Sequence, residues 1–129
     1  FNALAQALID EGKMEKADKL LMFSLAKMPD NVIPYDHTAP ETIDLLFQVG
    51  EKDKAIEMAK VVGDREITMG NYLMGEGRGI SDMRKSIFVL NALQRTLYQN
   101  GENDLAKKYE DASEAMMAAL QIRSERGDR

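Results

Sequence analysis

Apolar and small residues recur at intervals of three and four along most of this chain. From Met14 they fall at Ala17, Leu21, Ser24 and Met28, and towards the C-terminus at Leu105, Tyr109, Ala112, Met116 and Leu120. That spacing lines one face of an α-helix. Ile43, Leu46, Phe47 and Gly50 mark another helix, and Ala55, Ala59 and Val62 a further one. No sustained run alternates apolar and polar residues between turn signals, so essentially no sheet is expected. The pattern predicts an all-α chain of about seven helices, near residues 1–11, 14–28, 40–49, 52–63, 65–74, 82–100 and 103–124, ahead of a charged tail at 125–129. Pro40 suits the first turn of the third helix, where its missing N–H has no partner to lose. Ser81 or Asp82 can cap the sixth. That sixth helix is apolar around most of its circumference (Ile87, Phe88, Val89, Leu90, Ala92, Leu93, Leu97), which predicts a central position with contacts on several sides.

One short frame occurs three times: a glycine followed five residues later by an alanine, at Gly12 and Ala17, Gly50 and Ala55, and Gly101 and Ala106. A glycine just past a helix end supplies the left-handed conformation that terminates it. An acid then falls in the first turn of the next helix (Glu15, Asp53, Asp104), where the unpaired N–H groups and the positive dipole end stabilise it by about 0.3–1 kcal/mol. The alanine sits where two antiparallel helices approach. Each copy therefore predicts a helical hairpin, near 1–28, 40–63 and 82–124, with an extra helix near 65–74.

These residues carry a resemblance. Leu4, Ala5, Leu8, Gly12, Ala17 and Pro29 fall in the frame of a tetratricopeptide repeat; Leu46, Gly50 and Ala55, and Leu93, Leu97, Gly101 and Ala106, repeat parts of it. Ala59 and Glu110 stand where that repeat usually has a large apolar residue. The glycine spacings, from Gly12 to Gly50 and from Gly50 to Gly101, exceed the repeat period of about 34 residues. The chain thus resembles a degenerate tetratricopeptide-like array with insertions. Leu8, Gly12, Lys16, Ala17, Pro29, Ile33, Pro34, Tyr35, Asp36, Gly50, Lys54 and Ala55 are also similar to the soluble C-terminal part of the bacterial membrane-protein family DUF2723, over residues 1–60. That family commonly has a tyrosine-rich segment where this chain has Leu46 and Phe47. Its membrane portion resembles glycosyltransferases of the protein O-mannosyltransferase type. The resemblance implies a soluble domain on the extracytoplasmic, periplasmic side of a bacterial inner membrane, with any catalytic machinery in the membrane portion.

Composition narrows the rest. The 129 residues suit one domain with a real core. No window approaches the roughly 18 consecutive apolar residues of a membrane span. The chain starts at Phe1 within a helical pattern, which reads as a fragment of a larger protein. A net charge of −5 with both signs interspersed argues against nucleic acid or an anionic membrane as partner, because both need a basic face. The absence of cysteine excludes disulfides and thiolate chemistry.

Two inter-helix loops hold what chemistry there is. Pro29 to Pro40 contains the one histidine, His37, beside Tyr35 and Asp36. A histidine next to a carboxylate can act as a base, but no second histidine and no serine motif joins it. Packing of Tyr35, with Asp36 or Thr38 capping the next helix, explains the stretch without chemistry. Gly75 to Ser81 contains GEGRG, which lacks the spacing and the preceding strand of a dinucleotide loop. Arg78, Arg84 and Lys85 make its surroundings basic. The acidic pairs Asp10–Glu11 and Glu110–Asp111, and Glu102 with Asp104, read as solvated helix faces. Met14, Met28, Met58 and Met116 read as core, with Met69 and Met74 as the exceptions. Tetratricopeptide domains that clamp a C-terminal carboxylate use Lys, Arg and Asn along inner faces; at the corresponding positions (Asn2, Gln6, Pro40, Asp44, Asn91, Arg95) only Asn91 and Arg95 fit. No cofactor or metal is implied. The expected function is a non-catalytic scaffold for a protein partner or for the parent's own membrane portion. The alternative is a carbohydrate- or substrate-binding module using Tyr35 to His37 or Arg78 to Arg84.

Overall fold

Three turns of identical hydrogen bonding organise the chain. The computed structural model describes residues 2–26, 39–76 and 79–125. Within it run α1 (Asn2–Asp10), α2 (Met14–Ala26), α3 (Ala39–Gln48), α4 (Lys52–Glu76), α5 (Ile80–Gln99) and α6 (Asn103–Glu125), and the described residues include no strand. At the end of α1, Gly12 adopts φ 80°. Its N–H donates to Ile9 C=O at 2.9 Å, and the Lys13 N–H donates to Leu8 C=O at 2.8 Å. Those two bonds satisfy carbonyls that a helix end otherwise leaves open. Gly50 (φ 88°) and Gly101 (φ 78°) repeat the arrangement: Glu51 donates to Leu46 and Glu102 to Leu97, each at 2.9 Å.

The five-residue spacing from glycine to alanine now has a cause. The residue after each glycine also opens the following helix. Its carbonyl accepts the first bond of that helix, and the donor is the alanine: Ala17 to Lys13 at 3.1 Å, Ala55 to Glu51 and Ala106 to Glu102 at 2.9 Å. Glu15, Asp53 and Asp104 then occupy the second helical position, beside the unpaired N–H groups. All three alanines are fully buried.

The chain divides into two compact units, residues 1–62 and 63–129. In the first, α1 packs against α2 and α3. Ala5, Leu21, Ile43 and Leu46 are completely buried, as are Ala17 and Ala55. Asn2 and Thr42 exchange side-chain hydrogen bonds at 2.8 and 3.1 Å, tying α1 to α3. Pro40 lies in the first turn of α3, as its chemistry requires.

In the second unit α5 packs along α6, burying Met83, Leu90, Leu93 and Leu97 of α5 together with Tyr109 and Met116 of α6. Gly63 and Gly70 on α4 admit those last two side chains. A Cβ at Gly63 would overlap the Tyr109 ring, and one at Gly70 the end of Met116. Both pairs are seven residues apart and run in the same sense, so α4 and α6 lie parallel here, with two turns of each in register. Asp64 completes the contact by accepting from Lys108 Nζ at 2.8 Å and from the Tyr109 hydroxyl at 3.2 Å.

Four sequence expectations need correction. The break expected between helices at 52–63 and 65–74 does not occur: Gly63 and Asp64 lie inside one helix, α4, because Gly63 serves packing against Tyr109 rather than termination. Neither Ser81 nor Asp82 caps α5. The helix begins after Gly79, which is left-handed at φ 77° and ψ 35°, makes no side-chain cap bond, and accepts from the Met83 N–H through its carbonyl at 2.8 Å. A Cβ at Gly79 would overlap Leu73. Helix α5, apolar around most of its circumference, is buried along only about half of it, and Phe88 is 60% exposed. Met14 is exposed as well, because it is the first residue of α2, whereas Met58 and Met116 are core. Met28 lies outside the described residues.

Candidate functional site

The buried positions of α5 (Met83, Ser86, Ile87, Val89, Leu90, Leu93, Thr96, Leu97) occupy about half of its circumference. The other half is open. Arg84, Phe88, Asn91 and Arg95 follow one another there at intervals of four, three and four residues, so they form a single row along the helix. Arg84, Phe88 and Arg95 are exposed and Asn91 is half-buried. Leaving Phe88 in water forgoes roughly 1.5–3 kcal/mol that burial of a large apolar side chain contributes. Lone exposed apolar residues are ordinary. This one is distinguished by its setting between two guanidinium groups.

The charge balance of the row is also unlike that of the chain. Helix α5 carries Arg84, Lys85 and Arg95 against one acid, Asp82, in a chain of net charge −5. Asp82 lies 3.9 Å from Lys85, to one side of the row. Neither Arg84 nor Arg95 has a carboxylate partner among the described residues. At the end of α5, Tyr98 is turned towards α6. Burial, then the Glu110 carboxylate, pushes its hydroxyl above the ordinary tyrosine range.

Sequence reasoning selected Arg84, Asn91 and Arg95 for separate reasons, and the helix brings all three into this row. It does not single out Phe88, which the pattern counts among the apolar residues of a central helix; the available signal is its position four residues after Arg84 and seven before Arg95. Tyr35, Asp36, His37 and Arg78 lie outside the described residues. Asn2 is committed to Thr42, and Gln6 and Asp44 bond along their own helices to Asp10 and Gln48.

Elsewhere the ionisable groups serve the fold. Lys107 bridges Glu110 at 3.6 Å and Asp111 at 2.9 Å on the α6 surface. Burial, aided by the adjacent Asp64 carboxylate, pushes the Tyr109 hydroxyl far up. A hydrogen bond with Asp18 on α2, and repulsion between the two carboxylates, hold Glu51 above the usual carboxylate range. Among the described residues the buried Oδ1 of Asp18 has no hydrogen-bond partner. Among the described residues no group of three or more His, Cys, Asp or Glu side chains is placed to hold a metal ion, and no helix is long and apolar enough to cross a membrane. Comparison with protein-family models, with curated proteins and with solved structures finds no match to this chain.

Proposed function

We propose that this chain is a non-catalytic, tetratricopeptide-like scaffold that holds a protein partner through the open row of α5. The exposed Phe88 between Arg84 and Arg95 carries the reading: the helix presents an apolar anchor and two directional cations that the fold itself leaves unused. The thrice-repeated hairpin turn supports the repeat character. Tyr109 and Glu51, whose ionisations are both pushed upward, are engaged with Asp64 and Asp18 in contacts within the fold, which supports a scaffold over an enzyme.

The parent, in this reading, is a multi-span bacterial membrane protein resembling a glycosyltransferase, with this domain on the periplasmic side. Its support is the set of residues from Leu8 to Ala55 shared with the DUF2723 pattern. Two experiments test the proposal. Sequencing the reading frame upstream of Phe1 should show a multi-span hydrophobic region, and its absence removes the membrane parent. A photo-crosslinking amino acid at position 88 in the parent protein should label a protein or the parent's own membrane portion. A label at an exposed control site such as Glu114, with none at 88, removes the role given to α5. Thermal-shift screening against glycans and lipid-linked sugars tests the carbohydrate-module alternative, which a flat response rules out.

A further inference from the structure

We infer that the α5 row recognises an acidic segment of a protein partner, one that places an apolar side chain between two carboxylates. The inference rests on the scaffold reading above and names its partner class. Three observations define the ligand. Arg84 and Arg95 offer planar donor forks with no carboxylate on either among the described residues, and carboxylate is what that fork matches bidentately. Phe88 lies between them with an exposed ring. Asn91, beside Arg95, can both donate to and accept from a peptide backbone.

Helix geometry sets the spacing. At a rise of about 1.5 Å per residue, Arg84 and Arg95 are roughly 16 Å apart along the axis, with Phe88 about 6 Å from the first. An extended peptide advancing about 3.3 Å per residue covers those steps in about two and then three residues. The expected motif is therefore acid-x-apolar-x-x-acid. Single-stranded nucleic acid also presents anions and stacking surfaces. It would need a continuous basic field, whereas this chain has net charge −5 and two discrete cations flanking one ring. A pair of carboxylates around an apolar centre fits that arrangement better.

The test uses the whole 129-residue chain and fluorescein-labelled dodecapeptides read by anisotropy at low salt. One peptide carries Glu-Ser-Leu-Ser-Ser-Glu in a Gly/Ser background. The others shift one Glu by two residues, replace Leu by Ser, or replace both Glu by Lys. The first should bind best and loosen as salt is added. Affinity should fall about tenfold or more in Phe88→Ala and in the double variant Arg84→Glu, Arg95→Glu. Circular dichroism and thermal midpoint should stay unchanged in both, since the side chains are exposed. Equal binding of the Leu-to-Ser peptide, or tighter binding of a thymidine oligonucleotide, would overturn the inference in favour of plain anion attraction or nucleic acid. Concentration-dependent self-association abolished by Phe88→Ala would reassign the row to a second copy of the chain. If the lysine peptide binds and the acidic one does not, the partner class is wrong and the scaffold reading survives. If no peptide binds and crosslinking at position 88 labels nothing, both fail.

Discussion

Gly63 and Gly75 are both helical glycines on α4, yet replacing them should have opposite effects. An alanine gains up to about 1 kcal/mol of helix propensity over glycine. At Gly75 a Cβ meets nothing within 4 Å, so Gly75→Ala should be neutral or stabilising. At Gly63 it would overlap the Tyr109 ring, and overpacking of about 1–3 kcal/mol outweighs the propensity gain. Urea denaturation should place Gly63→Ala below the parent chain, with part of the loss recovered by adding Tyr109→Leu. A second residue-scale prediction concerns Glu51, whose folded pKa lies above its ordinary value of 4.5. The folded state then holds the proton more tightly. Its contribution is fully present below 4.5 and is lost as pH rises through the folded value. Glu51→Gln removes the repulsion while keeping a donor to Asp18, so it should raise the thermal midpoint at pH 7 and cease to do so below 4.5. A lower midpoint at pH 7 would show that the two carboxylates do not oppose each other.

At the scale of elements, the turns were legible and the long-range contacts were not. Gly12, Gly50 and Gly101 announce themselves because helix termination is local chemistry: a left-handed glycine, a polar residue, an early acid. Substituting alanine at any of them should cost about 1–2 kcal/mol, the penalty of a left-handed Cβ, and asparagine less. Guanidinium unfolding of the six single variants checks both the penalty and the order. Gly63 misled for the same reason that Gly12 did not. Its partner, Tyr109, is two helices away in sequence, and nothing within a few residues separates a packing glycine from a terminating one. The α5 row was half legible. Arg84 is legible from the basic surroundings of the glycine loop, and Asn91 and Arg95 from the clamp positions, whereas Phe88 is an apolar residue whose exposure only the packing of α5 against α6 reveals.

For the molecule as a whole, the described residues form six helices and short turns, without a strand, and fall into two compact units, residues 1–62 and 63–129. The Asp64 carboxylate, which helps raise the Tyr109 ionisation, lies within residues 63–129 together with Tyr109. A chain of those residues alone should therefore retain a Tyr109 that ionises above the ordinary tyrosine range in an ultraviolet phenolate titration. The raised value means that stability from the neutral phenol is present below the ordinary tyrosine value of 10.0 and lost as pH climbs through the folded one. Asp64→Asn should bring that ionisation to lower pH, though burial will still keep it above an exposed tyrosine.

The residue after each turn glycine has a consequence for how this chain can change length. Lys13, Glu51 and Glu102 each donate the last bond of one helix and accept the first bond of the next. No slack separates the two helices. An extra residue placed there must surrender one of those bonds or re-register a whole helix, rotating its buried face by about 100°. These joints behave as fixed-length couplings, intolerant of insertion and deletion although they lie on the surface. A six-residue segment of this kind, from glycine to alanine, could be moved as a unit to set the approach of two helices in another protein.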